Sequence, residues 1–221
     1  MSGLVESALR FLGEFVARFR VTRDTAPIDS LAEMQRFART RAAFVSQTKL
    51  FCYLKTRMGT QFPKVFENDR YVESINIAKL HVFAAALSDL TIHVVAKATA
   101  GSGLDHAART AAAVECFDAG INEYGREEAG AENIAEWKAE FRNRVEDVHW
   151  ENAASGHEAF ARSPDALLRW APIADELKRF DAKIVRNSMR FAWNEVIRDY
   201  RLRMRPLALQ GEIATGGNGA T

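Results

Sequence analysis

The sequence predicts an all-α protein: an irregular bundle of five or six helices around one central apolar helix. Three observations carry this expectation. Apolar residues recur three and four apart over long stretches, and no convincing stretch alternates with period two. The five prolines, Pro27, Pro63, Pro164, Pro172 and Pro206, stand at or next to the joints between those stretches. One stretch, from Ala78 to Ala98, is apolar on nearly every side, which marks a helix enclosed by its neighbours.

The elements follow in order. Leu4 to Val21 carries an apolar stripe of Leu4/Val5, Ala8/Leu9, Leu12, Phe15/Val16 and Phe19, with Glu6, Arg10, Glu14 and Arg18 opposite. A loop through Pro27 leads to Asp29 or Ser30 as the cap of a second helix. Glu33 stands three residues after Ser30, as in a capping box. That helix reaches about Met58, and Gly59 is a natural terminator. Asn68 or Asp69 starts the central helix, which runs to about Ala98. Gly101-Ser102-Gly103 turns the chain into a helix over about 104–128. A further helix is expected over about 132–153, with Ile134, Trp137, Phe141, Val145 and Val148 on one stripe. Ser163 caps a short helix with Pro164 at its first position. The last helix begins near Pro172, carries Ile173, Leu177, Phe180, Ile184, Val185, Met189, Trp193, Val196 and Tyr200, and ends near Pro206. The organisation expected is an amphipathic N-terminal helix (1–22), a bundle domain (23–206) and a disordered tail (207–221).

With 221 residues the chain can bury roughly 70% of its unfolded surface, enough to fold without disulfides or metal. Hydrophobic residues make up 48% and charged residues 27%, which excludes wholesale disorder. Two cysteines, Cys52 and Cys116, exclude a disulfide scaffold and fit a reducing compartment, each as a small core residue. Glu6, Arg10 and Glu14 interrupt the first turns, so a secretory signal is not expected. Leu80 to Ala96 comes nearest to a membrane span but holds His81, Asp89 and His93, so a buried helix is expected instead. The net charge of +1 gives no general case for nucleic acid. Charge is nevertheless uneven: residues 1–60 hold ten basic and five acidic groups, whereas residues 105–161 hold five and thirteen. The acidic face of the 132–153 helix is expected beside basic ends of the second and last helices.

Few residues suggest chemistry. Ser46-Gln47-Thr48-Lys49 fits Ser-x-x-Lys, in which a lysine one turn away activates a serine, so Ser46 and Lys49 are the weak catalytic alternative to a surface serine. No Gly-x-Ser-x-Gly elbow accompanies them. Glu146-x-x-His149 would align a carboxylate and an imidazole, and Asp89-x-x-x-His93 is an i, i+4 pair. A di-iron bundle needs two Glu-x-x-His motifs, so no metal and no cofactor is expected. No phosphate-cradling glycine loop occurs. Six arginines between Arg186 and Arg205 alternate with Glu195 and Asp199, which does not point to nucleic acid.

Two candidate binding features stand out. His81, Ser88, Asp89 and His93 form a polar set in the most apolar helix. A buried Asp89 requires a partner, either His93 or an arginine from another helix. The set reads either as a satisfied core network, or cap for another helix, or as a small-ligand or proton site. The second feature is the N-terminal helix. Phe11, Phe15 and Phe19, with Arg10 and Arg18 at the rim, fit an element that docks on an anionic bilayer or on the bundle itself.

The stretches Phe19-Arg20-Val21-Thr22-Arg23-Asp24, Ser74-Ile75-Asn76-Ile77-Ala78-Lys79 and Arg169-Trp170-Ala171-Pro172-Ile173-Ala174-Asp175-Glu176-Leu177 resemble a helical bacterial protein family, over most of the chain. Some members carry the label esterase, so the resemblance implies a helical fold and, as an alternative, ester hydrolysis. The leading expectation is a non-enzymatic helical interaction or assembly protein in a bacterial-type cytoplasm, peripheral to the inner membrane, with a protein partner or an anionic membrane surface. The rivals are an esterase-type hydrolase and a small-ligand-binding bundle built on Asp89 and His93.

Overall fold

The computed structural model describes residues 25–125, 129–155 and 159–216. The segment expected as the N-terminal helix, with Arg10, Phe11, Phe15, Arg18 and Phe19, lies outside the described residues. Within them the fold is all-α, with eight α-helices, more than the five or six expected, and no named strand.

Helix α1 (Leu31–Met58) starts on Ser30, whose hydroxyl accepts from the Glu33 N–H at 3.3 Å. The Glu33 carboxylate reaches back to the Asp29 N–H at 3.1 Å, so the capping box is shifted by one residue on its return arm. Gly59 ends α1 at φ 52°, a backbone state that favours glycine. A 3-10 segment (Gly59–Glu67) leads to Asn68, whose side chain caps α2 (Asp69–Ala98) by accepting from the Tyr71 N–H.

Helix α2 is the expected centre. It packs against α1, α3 (His106–Gly125), α5 (Trp150–Ser155) and α6 (Arg162–Trp170). Among the described helices only α2 is long and apolar enough to cross a membrane, and 72% of its most apolar window is buried inside the protein. Helix α3 lies so close to it that a Cβ on Gly120 would come within 2.7 Å of Leu87. Helices α4 (Gly130–Glu146), α7 (Asp175–Arg203) and α8 (Pro206–Gly216) complete the bundle. Tyr200 of α7 donates its hydroxyl to the Val94 carbonyl of α2 at 3.0 Å, and Trp193 is fully buried. The chain enters the described structure beside the end of α7: Ile28 and Met204 form a short parallel bridge.

Four expectations are corrected. The single helix over 132–153 is two, α4 and α5, broken at Asp147–His149; the break brings both Val145 and Trp150 into the core. Residues 207–216 of the expected disordered tail belong to α8 (Pro206–Gly216), because Leu209 and Ile213, one turn apart, bury themselves in the bundle. Residues 217–221 lie outside the described set. Cys52 is exposed rather than in the core, whereas Cys116 is buried; both are free. The acids that pair are mostly not those of the 132–153 stretch: Glu123 meets Arg39, and Asp118 meets Arg142 and Lys138. Glu151 meets Arg109 on α3.

Candidate functional site

The polar set on α2 comes first because its position is the most expensive. Asp89 is fully buried, and its partner is an arginine from another helix, Arg144 of α4. One Arg144 nitrogen donates to Asp89 Oδ1 and to Ser88 Oγ, each at 2.7 Å, and the other donates to the Ala159 carbonyl at 2.9 Å. Asp89 Oδ2 accepts from the Ser163 N–H at 2.7 Å, and Oδ1 from the Arg162 N–H at 3.3 Å. Those are orphan donors in the first turn of α6. The expected cap at Ser163 is therefore a different one: Asp89 caps α6 from across the bundle, and Ser163 Oγ accepts instead from the Trp193 indole N–H at 3.0 Å. Burial pushes the Asp89 carboxyl up, while Arg144 and Ser163 favour its charged form. Every partner of its oxygens is a donor that cannot accept, so the group is held as a carboxylate. Of the two readings of the set, Asp89 fits the satisfied network.

His93 does not join it. Its Nδ1 meets the Ala153 carbonyl at 3.2 Å and its ring leans on Phe160, while Nε2 is buried with no hydrogen-bond partner among the described residues. Burial lowers its pKa to about 4, so the ring is neutral at neutral pH. His81 stands apart from both, half-buried and stacked on Trp170. The expected polar set is thus three separate environments.

The catalytic alternative does not assemble. Ser46 is buried, not on the surface, and its hydroxyl donates to the Ala43 carbonyl of its own helix at 3.1 Å. The Lys49 ammonium turns to Ser188 Oγ at 3.0 Å. Glu146 ends α4 and His149 lies beyond it, so the two do not share a helical face. Among the described residues no group of three or more His, Cys, Asp or Glu side chains could hold a metal ion.

The feature that sequence reading missed is the outer face of α7. Val185, Met189, Trp193, Val196 and Tyr200 point into the core. Leu177, Phe180 and Ile184, expected to continue that stripe, do not. Phe180, Ile184 and Phe191 are each 70% exposed, Leu202 is 73% exposed and Leu177 is exposed as well. At 100° per residue these five fall within a sector of about 60°, centred roughly 150° from the core stripe. Arg179, Lys183, Arg190 and Arg201 form a basic row along one flank of that sector; Arg179 lies over the Phe180 ring at 4.8 Å. Arg186 and Arg198 are taken up by Asp165 and Glu195. The core side of α7 is fastened by Asp181, which accepts from the Tyr53 hydroxyl at 2.8 Å and pairs with Arg57. Arg57 and Tyr53 hold the Asp181 carboxyl below the usual range against a partial burial penalty. The available signal was that the helix has two apolar series out of phase, 177/180/184/191 and 185/189/193/196/200, where a singly amphipathic helix has one.

Compared with known proteins, the chain matches no family model, no curated protein and no solved structure.

Proposed function

We propose that this is a non-enzymatic interaction protein that docks on an anionic membrane surface through the outer face of α7. One observation carries the reading: five large apolar side chains, exposed in a single sector of a 29-residue helix, with a basic row beside them. Exposed apolar residues scattered singly need no explanation, but an aligned series flanked by basic side chains is what an interfacial helix presents. Each large side chain fully buried in the bilayer boundary contributes about 1.5–3 kcal/mol. Each cation near an anionic surface adds ~1 kcal/mol, a contribution that salt weakens. The described chain begins beside Met204, at the C-terminal end of α7. The esterase alternative, carried by the family resemblance, loses its expected Ser46–Lys49 pair, because Ser46 is buried and bonded to its own helix while Lys49 turns to Ser188.

Vesicle sedimentation tests the reading. The protein is expected to sediment with phosphatidylglycerol-containing vesicles at low salt, to release at high salt, and to ignore pure phosphatidylcholine. Salt-insensitive binding, or none to either vesicle, overturns it. So does a stable dimer that the Phe191→Glu substitution dissociates, because a second copy then covers the face.

A further inference from the structure

We propose that a cleft between α2, α4 and α6, remote in purpose from the α7 face, binds a small zwitterion: an amine and a carboxylate carried on one apolar frame, of the size of an aromatic amino acid. The cleft has a volume of about 550 Å³, within the range of small-molecule sites. One wall is aromatic. His81 of α2 lies flat on Trp170 of α6 at 3.5 Å and 2°, and stands edge-on to Trp137 of α4.

The Trp137 indole N–H donates to His81 Nδ1 at 3.3 Å. An indole N–H only donates, so Nδ1 keeps its lone pair and the ring proton sits on Nε2. His81 is therefore held as a neutral imidazole with one donor to offer, and burial acts in the same direction.

Charges of both signs line the cleft, from two different helices. Helix α4 contributes Glu136 and Glu140, exposed and one turn apart; α6 contributes Arg162 and Arg169, exposed and two turns apart. Asp165 between the arginines is already engaged by Arg186. Among the described residues no ion pair crosses the cleft from these glutamates to these arginines, and His81 feels both signs, Glu136 favouring its proton and Arg169 opposing it. A simple anion would meet two carboxylates and a simple cation two guanidiniums; a ligand carrying both charges meets a partner on each wall. The arginine wall is held in place from beneath, because Asp89 fixes the Arg162 and Ser163 N–H groups.

Titration calorimetry, with tryptophan fluorescence of Trp137 and Trp170 as second readout, tests this with three probes of one frame. They are L-phenylalanine, its amide (a cation) and 3-phenylpropanoate (an anion). L-Phenylalanine is expected to bind at least ~10-fold more tightly than either, the consequence of one lost charge contact. Glu136→Gln with Glu140→Gln should bring L-phenylalanine down to the anion and leave the anion no weaker. Arg162→Gln with Arg169→Gln should bring it down to the cation. Equal affinity for the three probes on the wild-type protein, or no heat and no fluorescence change with any of them at millimolar concentration, overturns the proposal. The wild-type comparison decides even where a double variant fails to fold.

Discussion

Helices α2 and α7 are almost the same length, 30 and 29 residues, and each violates the inside–outside rule in the opposite sense. Helix α2 carries a carboxylate, an imidazole and hydroxyls in its buried length; α7 carries phenylalanine, leucine and isoleucine on its solvent side. For the carboxylate, the violation inside is answered within the molecule. Asp89 accepts three hydrogen bonds, and Arg144 spans α2, α4 and the chain before α6. The violation outside is answered by nothing among the described residues. A misplaced polar group that is fully partnered belongs to the fold, whereas a misplaced apolar series without cover points to something outside it.

The largest expected effect tests the inner half of this contrast. Arg144→Leu leaves Asp89 buried without its cation and α6 on a strained cap, and should cost about 3–5 kcal/mol in urea unfolding. Asp89→Ala, which removes the charge together with the cap, should cost about 2–4 kcal/mol. An unfolding midpoint for Asp89→Ala within about 1 °C of wild type would contradict the placement of Asp89 in the core.

Next comes the pH dependence from His93. Its folded pKa lies at about 4, below the ordinary 6.5. Between those values the unfolded chain binds a proton that the native protein refuses, so stability is lost as pH falls through that window and is fully present above it. The loss attributable to this ring is roughly 3 kcal/mol. The difference between wild type and His93→Gln, followed by urea unfolding from about pH 7 to about pH 4, isolates it. A difference independent of pH would place the ring in water.

The outer half should behave in reverse. Phe180→Glu with Phe191→Glu should change stability by no more than about 0.5 kcal/mol, since both side chains already face solvent, yet abolish vesicle sedimentation. A large loss of stability instead would mean that the face is covered in solution. The smallest expected effect is none: Ser46→Ala should leave hydrolysis of p-nitrophenyl acetate where the wild-type protein has it, because the Ser46 hydroxyl is spent on its own helix.

Much of the inner half was legible in the sequence. A carboxylate at position 89 amid alanine, leucine and valine demands a cation, and an arginine from another helix was one of two candidates. Arg144 sits seven residues from Trp137 on the apolar stripe of its helix, so its inward aim was readable too. Its pairing with Asp89 was not, because spacing along each helix does not set the register between them. The break at Asp147–His149 contains neither proline nor glycine and left no mark. Helix α8 was hidden by its small residues, since only Leu209 and Ile213 carry its buried face. On α7 two apolar series at helical spacing merge into one stripe when spacing alone is considered, although Leu177 is exposed and Val185 buried.

The reach of Asp89 to α6 also bears on the order in which the chain acquires structure. Helix α6 has nine residues and no side-chain cap of its own. A helix that short does not persist in isolation. Its first two amides are held by a carboxylate 73 and 74 residues earlier in the chain, so they become protected only once α2 has met them. The Arg162 and Ser163 amides should therefore exchange with solvent deuterium only when the whole bundle opens, as slowly as those in the middle of α2, although they belong to one of its shortest helices.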